Sequence, residues 1–236
     1  YEKVLGHYWN YELDDISLNI HEIFNNAIDV RPSKRNILSV IASVYDPVGY
    51  LQPIVIKLKI LFQEICKCNI DWDDEIGYTL LEKWKNIIQD FIYYDVISFK
   101  RCFYVYKIND PIEKFYLHGF SDASKSAYAA VIYIKSISKS GNISVKFVTS
   151  KSRVIPLKKT FTIPRLELLG NVILSSLIRT VYNSFNEEII INEIYCWSDS
   201  LITLSWIKCI KIKYNPFVQI RIIKIRNNVN HALWIF

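Results

Sequence analysis

Two spacings of apolar residues divide the chain near residue 96. Before it the spacing is helical. Ile37, Leu38, Ile41 and Val44 recur three to four apart after Pro32 and Ser33. Gln52–Cys68 is a second amphipathic stretch with Pro53 in its first turn, and Thr79–Tyr93 is a third. Tyr45-Asp46-Pro47-Val48-Gly49 separates the first two as a turn, because Pro presets φ and Gly tolerates φ > 0. Asn69–Gly77, with Trp72, Asp73, Asp74 and Glu75, reads as an acidic loop. Ahead of all this, Tyr1–Trp9 reads as an extended piece, and Asn25, Asn26 and Asp29 mark a polar loop.

After residue 96 the period falls to two. Val96–Ile108 alternates as a strand, Asn109-Asp110-Pro111 breaks it, and Phe115–Ser121, Ala127–Lys135 and Ile143–Ser150 follow as three strands. Ser138-Lys139-Ser140-Gly141-Asn142 joins the last two as a hairpin loop. Pro164–Tyr182 is a helix with Leu166, Leu169, Ile173, Leu177 and Val181 on one stripe. Glu193–Trp197 is a fourth strand, Leu201–Ile207 and Pro216–Val229 are helices, and Leu233–Phe236 resumes strand character. The pattern predicts an α/β chain in three parts. Residues 1–95 form the first part, mostly helical from 33 on, 96–111 are a connecting strand and loop, and 112–236 form a mixed sheet with flanking helices, incomplete at its C-terminus.

Composition narrows the classes. Hydrophobic residues at 51%, with only 6 Gly and 7 Pro, exclude disordered and collagen-like chains. The net charge of +6 is compatible with a nucleic-acid partner. Five cysteines (66, 68, 102, 196 and 209), odd in number and without a Cys-x-x-Cys pair, argue against a disulfide framework or zinc ribbon and for reduced, intracellular thiols. The longest apolar run, Ile54–Ile65, carries Lys57, Lys59 and Glu64, so no membrane partner is expected. The absence of Met suggests an internal piece or a processed product.

Three carboxylates stand out. Asp122 ends the first strand of the second part, Glu167 lies in the first turns of the long helix, and Asp199 ends the fourth strand. If those two strands are neighbours, the acids share one end of the sheet. Such clusters hold paired Mg²⁺ ions that activate water in phosphodiester cleavage. The plainer reading makes each Asp a turn former or helix cap, and Glu167 a complement to the helix dipole. Lys151, Arg153, Lys158 and Lys159 could line a phosphate-binding groove or simply be a solvated loop. Lys208, Lys211 and Lys213 form a second cluster, and Arg165 either touches substrate or pairs with an acid.

Long ordered words then point to a family. Lys3-Val4-Leu5-Gly6 with Trp9, the run Lys34–Gly49, Trp72-Asp73-Asp74, Gly119-Phe120-Ser121-Asp122-Ala123-Ser124, Ile163-Pro164-Arg165-Leu166-Glu167-Leu168 and Trp197-Ser198-Asp199-Ser200 resemble the Pao (BEL/Pao) retrotransposon polyproteins. The resemblance implies that 1–95 is the palm edge and thumb or connection of a reverse transcriptase. It implies that 112–236 is an RNase H-like domain that, in the intact parent, cuts RNA in RNA–DNA hybrids with Mg²⁺ or Mn²⁺. By that resemblance Asp122, Glu167 and Asp199 become the catalytic and metal-binding acids; the nucleic-acid contacts would come from the basic residues Lys151, Arg153, Lys158, Lys159 and Arg165. The implied partners are the hybrid and the remainder of the Pol polyprotein, in a cytoplasmic retrotransposon particle with or without a nuclear phase. The chain departs from the family at its end: the loop His and the fourth acid are missing, as is the polymerase Tyr/Phe-x-Asp-Asp word. A fragment of this kind is either a nuclease domain or a non-catalytic relic or nucleic-acid-binding module.

Other classes fit less well. A peptidase label is also attached to the family, but an aspartic peptidase needs Asp-Thr/Ser-Gly loops, and Asp199-Ser200 is followed by Leu201. Integrases and transposases order their acids Asp, Asp, Glu; here the order is Asp, Glu, Asp.

Overall fold

The structure, a computed structural model, describes every residue except 1, 5, 6, 29, 93–95, 105–108, 159, 186, 211 and 212. The chain forms two units, Tyr1–Cys102 and Phe103–Phe236.

In the first unit, β1 (Glu2–Val4), β2 (His7–Asn10), β3 (Asp15–Asn19) and β4 (Val96–Lys100) form an antiparallel sheet in that order. Helices α1 (Ile20–Ile28), α2 (Lys34–Ser43), α3 (Gln52–Lys67) and α4 (Tyr78–Ile92) accompany it. Their buried sides meet through Ile20, Phe24, Ile37, Leu58, Ile65 and Trp84. The polar loop expected around Asn25 and Asn26 is instead α1, because burying Ile20, Phe24 and Ala27 outweighs the weak helix propensity of Asn. The strand expected over Val96–Ile108 ends at Lys100 and pairs with β3, where Ser17 and Ser98 share a hydroxyl hydrogen bond of 2.9 Å.

The predicted turn is fastened by its own Asp. The Asp46 carboxylate accepts the backbone N–H groups of Gly49, Tyr50 and Leu51, each at 2.9 Å, at the start of α3. Gly49 takes φ +93°, a conformation costly for any side chain. The acidic loop is tied down as well. Arg35 clamps Asp73 with two bonds of 2.7 and 3.0 Å, and Arg31 pairs with Glu75 at 2.8 Å.

In the second unit β5 (Ile112–Ala123), β6 (Ala127–Ser138) and β7 (Ile143–Val154) form an antiparallel meander. β8 (Ile191–Ser198) and β9 (Leu233–Ile235) add in parallel, giving the order β7-β6-β5-β8-β9. Between them come α5 (Ile163–Phe185), α6 (Leu201–Lys208) and α7 (Pro216–Asn228). The strands run longer than the alternation predicted; at the β6–β7 hairpin, where β6 extends to Ser138, Asp110 fastens the loop by accepting from Ser140 N (2.9 Å), Ser140 Oγ (2.7 Å) and Asn142 Nδ2 (3.0 Å). These bonds hold its carboxyl far below the usual range.

α5 packs closely on β5. A Cβ placed on Gly119 would fall well inside contact distance of Leu174 Cδ1 and 2.9 Å from Ile178 Cδ1. Leu117, Ile132, Ile134, Leu174, Ile178 and Ile222 fill this side of the sheet. The other face carries aromatic side chains on adjacent strands. His118 stacks on Tyr195 with centroids 4.9 Å apart, and Phe120 stacks on Trp197 at 6.0 Å. Trp197 Nε1 donates to His118 Nδ1 at 3.3 Å, which requires a neutral imidazole. Burial, with a smaller contribution from the Lys135 charge, holds His118 below the ordinary histidine range.

Three outcomes follow from this packing. Asp46→Ala removes the acceptor of the Gly49, Tyr50 and Leu51 N–H groups in the turn before α3 and is expected to cost about 1–2 kcal/mol, read as a lower denaturant midpoint; an unchanged midpoint would contradict the fastening role. Gly119→Ala drives a methyl into Leu174 and is expected to cost about 1–3 kcal/mol by the same measurement. Because folding lowers the His118 pKa, its contribution to stability is complete above the unfolded value near 6.5 and is lost as pH falls through the folded value. Thermal midpoints should therefore drop on acidification below about pH 6.5, and His118→Gln should flatten that drop relative to the wild type.

Candidate active site

The pairing of β5 with β8 puts Ser121 opposite Ser198, so Asp122 and Asp199, each one residue further on, stand at neighbouring carboxyl ends. The expected adjacency of the two strands is therefore present. α5 reaches the same end: a Cβ on Gly170 would lie 3.4 Å from the Asp122 carbonyl oxygen and 3.6 Å from that of Ala129. Glu167, one turn earlier on α5, is carried to the strand ends by this contact. Asp122 and Asp199 are exposed and Glu167 is half-buried.

Neither aspartate caps a helix. Ser200 caps α6, its Oγ accepting from Thr203 N at 3.3 Å, and Asp122 Oδ1 accepts the N–H of Ala123 at 2.6 Å within a strand. Ser200 leads straight into α6, so Asp199-Ser200 forms no peptidase-type loop. Among the described residues no Lys, Arg or His lies within ion-pair distance of Asp122, Glu167 or Asp199. Three carboxylates at one end of a sheet, without a counter-ion among the described residues, are the hard oxygen donors that suit Mg²⁺ or Mn²⁺. As the side chains stand, no three His, Cys, Asp or Glu among the described residues form a metal-holding group. The strand alternation gives a reason. Gly119 and Ser121 face α5, so Asp122 turns to the opposite face, and Glu167 comes to the strand end from the helix side.

The basic residues are more scattered. Lys151 and Arg153 are exposed on β7, with β6 between them and β5. Lys158 is exposed in the loop that follows, while Lys159 and Lys211 lie outside the described residues. Arg165 pairs with no acid among the described residues; its guanidinium lies 5.2 Å from the centre of the Phe217 ring on α7, which Arg221 also covers at 3.5 Å. Lys208 and Lys213 belong to the α6 end and the segment after it.

Sequence reasoning missed Asn171. It is fully buried, one turn beyond Glu167, and bonded to hydroxyls on β5, β8 and α6. Its signal was an Asn inside an apolar helical stripe, together with a Ser directly before each Asp.

The fold has known counterparts. The foamy viral protease–reverse transcriptase dRH in complex with double-stranded DNA matches 99% of this chain with a TM-score of 0.54 at 13% identity. The chain spans 37% of that protein's length. RNase H1 from the halophilic archaeon Halobacterium salinarum matches 50% of this chain and 80% of its own, with a TM-score of 0.32 at 12% identity. LC11-RNase H1 in complex with an RNA/DNA hybrid matches 52% and 83%, with a TM-score of 0.33 at 13% identity. No curated protein matches the sequence. A family model described as the Pao retrotransposon-like RNaseH-like domain matches residues 33–200, from the Ser that caps α2 to the Ser that caps α6, and includes all three acids. That match covers well over half of the sequence, and the chain belongs to the Pao retrotransposon-like RNaseH-like domain family.

Proposed function

We propose that the second unit is the RNase H-type nuclease domain of a retrotransposon Pol polyprotein and acts on the RNA strand of RNA–DNA hybrids. One observation carries the reading: Asp122 and Asp199 stand at the carboxyl ends of paired parallel strands, with Glu167 brought to the same end by α5 and, among the described residues, no protein cation in ion-pair contact with any of them. Family membership supplies the substrate class, and the first unit is read as the thumb or connection segment of the reverse transcriptase.

Asp122, Glu167 and Asp199 would hold the divalent ions, Mg²⁺ or Mn²⁺. Once bound, such ions activate a water and stabilise the leaving oxygen of the scissile phosphodiester. The chain's own residues prepare the site. The Ala123 N–H engages one oxygen of Asp122 and restrains its carboxylate. Lys151 and Arg153 offer phosphate contacts along the β7 edge of the sheet and Lys158 in the loop that follows, and Arg165, steadied on Phe217, offers a fixed guanidinium; Lys159 is proposed as a further contact. Host compartment follows from the same reading: a cytoplasmic particle in which reverse transcription takes place. Among the described residues no helix is long and apolar enough to cross a membrane.

A second reading has one observation in its favour. The three carboxylates do not form a metal-holding group as they stand, which suits a hybrid-binding module without turnover. One experiment separates the two. The full chain is incubated with a labelled RNA–DNA hybrid and Mn²⁺, beside Asp122→Asn and Glu167→Gln. The nuclease reading expects cleavage confined to the RNA strand, reduced at least about 100-fold in both variants. Undiminished cleavage by Asp122→Asn would sink the site assignment. Salt-dependent binding with no cleavage at any Mn²⁺ concentration would assign the binding module. Lys151→Ala with Arg153→Ala should weaken hybrid binding and lower its salt slope by about 2.

A further inference from the structure

The three acid-bearing elements meet at a buried polar group that carries no charge. Asn171 and Thr203 have no exposed surface, and Ser198 and Ser121 have 5% and 9%. Ser121 Oγ donates to Asn171 Oδ1 at 2.6 Å, and Asn171 Nδ2 donates to Thr203 Oγ1 at 3.1 Å and reaches Ser198 Oγ at 3.5 Å. Thr203 Oγ1 in turn donates to the Ser200 carbonyl at 3.1 Å. Ser121 immediately precedes Asp122, Ser198 immediately precedes Asp199, and Asn171 lies one turn beyond Glu167 on the same side of α5.

Burying an amide and three hydroxyls destabilises a core unless every partner is in place, and apolar side chains of similar size would fill the space at lower cost. Overall stability is therefore a poor explanation for the cluster. Position is a better one. Side chains alternate along a strand, so an inward-tied Ser121 fixes Asp122 outward, and a one-residue slip of β5 against α5 would break the bond and displace the acid together. The same holds for Ser198 and Asp199.

We propose that Asn171 is the positioning residue of the acid site: it sets the spacing of Asp122, Glu167 and Asp199 by locking together the elements that carry them. It touches neither substrate nor metal. The inference rests on the nuclease reading above.

The test uses the full chain as wild type, Asn171→Leu, Thr203→Val, Ser121→Ala, the Asn171→Leu/Ser121→Ala double variant and Asp122→Asn. Mn²⁺ affinity is read from the electron paramagnetic resonance of free Mn²⁺, folding from circular dichroism and the thermal midpoint, and hybrid cleavage as separate kcat and KM. Folded Asn171→Leu and Thr203→Val are expected to bind Mn²⁺ at least tenfold more weakly and to lose at least tenfold in kcat, with KM for the hybrid unchanged. Ser121→Ala should weaken Mn²⁺ binding alone but add nothing in the Asn171→Leu background, because both act through one knot. Wild-type Mn²⁺ affinity in folded Asn171→Leu, or simple addition of the two effects, overturns the proposal. If Asn171→Leu does not fold, Thr203→Val, which removes one hydroxyl at constant shape, decides in the same way. A wild-type chain that binds no Mn²⁺ overturns the nuclease reading and the role of Asn171 with it. Mn²⁺ binding that is lost in Asp122→Asn but indifferent to the knot overturns only the role of Asn171.

Discussion

The seating of α5 on β5 is the contact on which the second unit depends. Two glycines permit it, Gly119 under Leu174 and Ile178, and Gly170 against the Asp122 carbonyl. At 23 residues and 1.5 Å per residue the helix is about 35 Å long, enough to run most of the length of the strands it covers. Further along the helix, Leu174 and Ile178 cover Gly119 of β5, and Ile173 and Val181 are buried in the same apolar cluster. The first turns of α5 bring Glu167, Gly170 and Asn171 to the strand ends. One rigid element thus supplies both the core and one of the three acids. A loss of contact anywhere along it would be felt at the site.

The change of chemistry along α5 has a physical logic. Where the helix covers the middle of the sheet, nonpolar burial provides the stabilisation and any well-fitting apolar side chain serves. At the strand ends the contacts are polar, directional and short, as between Ser121 and Asn171. Apolar packing tolerates small displacements, whereas hydrogen bonds fix both register and rotation. Such departures from apolar packing are expected where geometry matters more than stability. The contrast with the first unit is instructive. There the charged words of the sequence act as fasteners: Asp46 ties the turn that leads into α3, and Asp73 is clamped by Arg35 at the surface.

Much of this was legible in the sequence because it is periodic or punctuated. The helices α2 to α7 and the strands β5 to β8 announce themselves by spacing, and Asp122 and Asp199 by the turns that follow them. What was not legible depends on partners distant in the chain. β4 belongs to the first sheet because Ser98 meets Ser17, 81 residues away, which no local pattern reports. α1 was hidden by Asn25 and Asn26, whose weak propensity is overridden by the burial of Ile20, Phe24 and Ala27. Asn171 escaped because a stripe is read by counting apolar positions, and a buried amide looks like a gap in it. Arg165 could not be assigned from its neighbours in sequence, because its ring partner Phe217 is 52 positions further on.

The word Gly119-Phe120-Ser121-Asp122 shows how a short segment can carry several constraints at once. A strand sends alternate residues to opposite faces, so the odd and even positions answer to different neighbours. Gly119 admits α5 and Ser121 bonds Asn171, both on the covered face. Phe120 stacks on Trp197 across the opposite face, and Asp122 follows it at the exposed end. Trp197-Ser198-Asp199 repeats the division on the neighbouring strand, with Ser198 buried between the stacked Trp197 and the exposed Asp199. In each word the inward residue holds the acid in place without contacting it. A reading that takes only the two aspartates therefore finds the chemistry and overlooks what aims it.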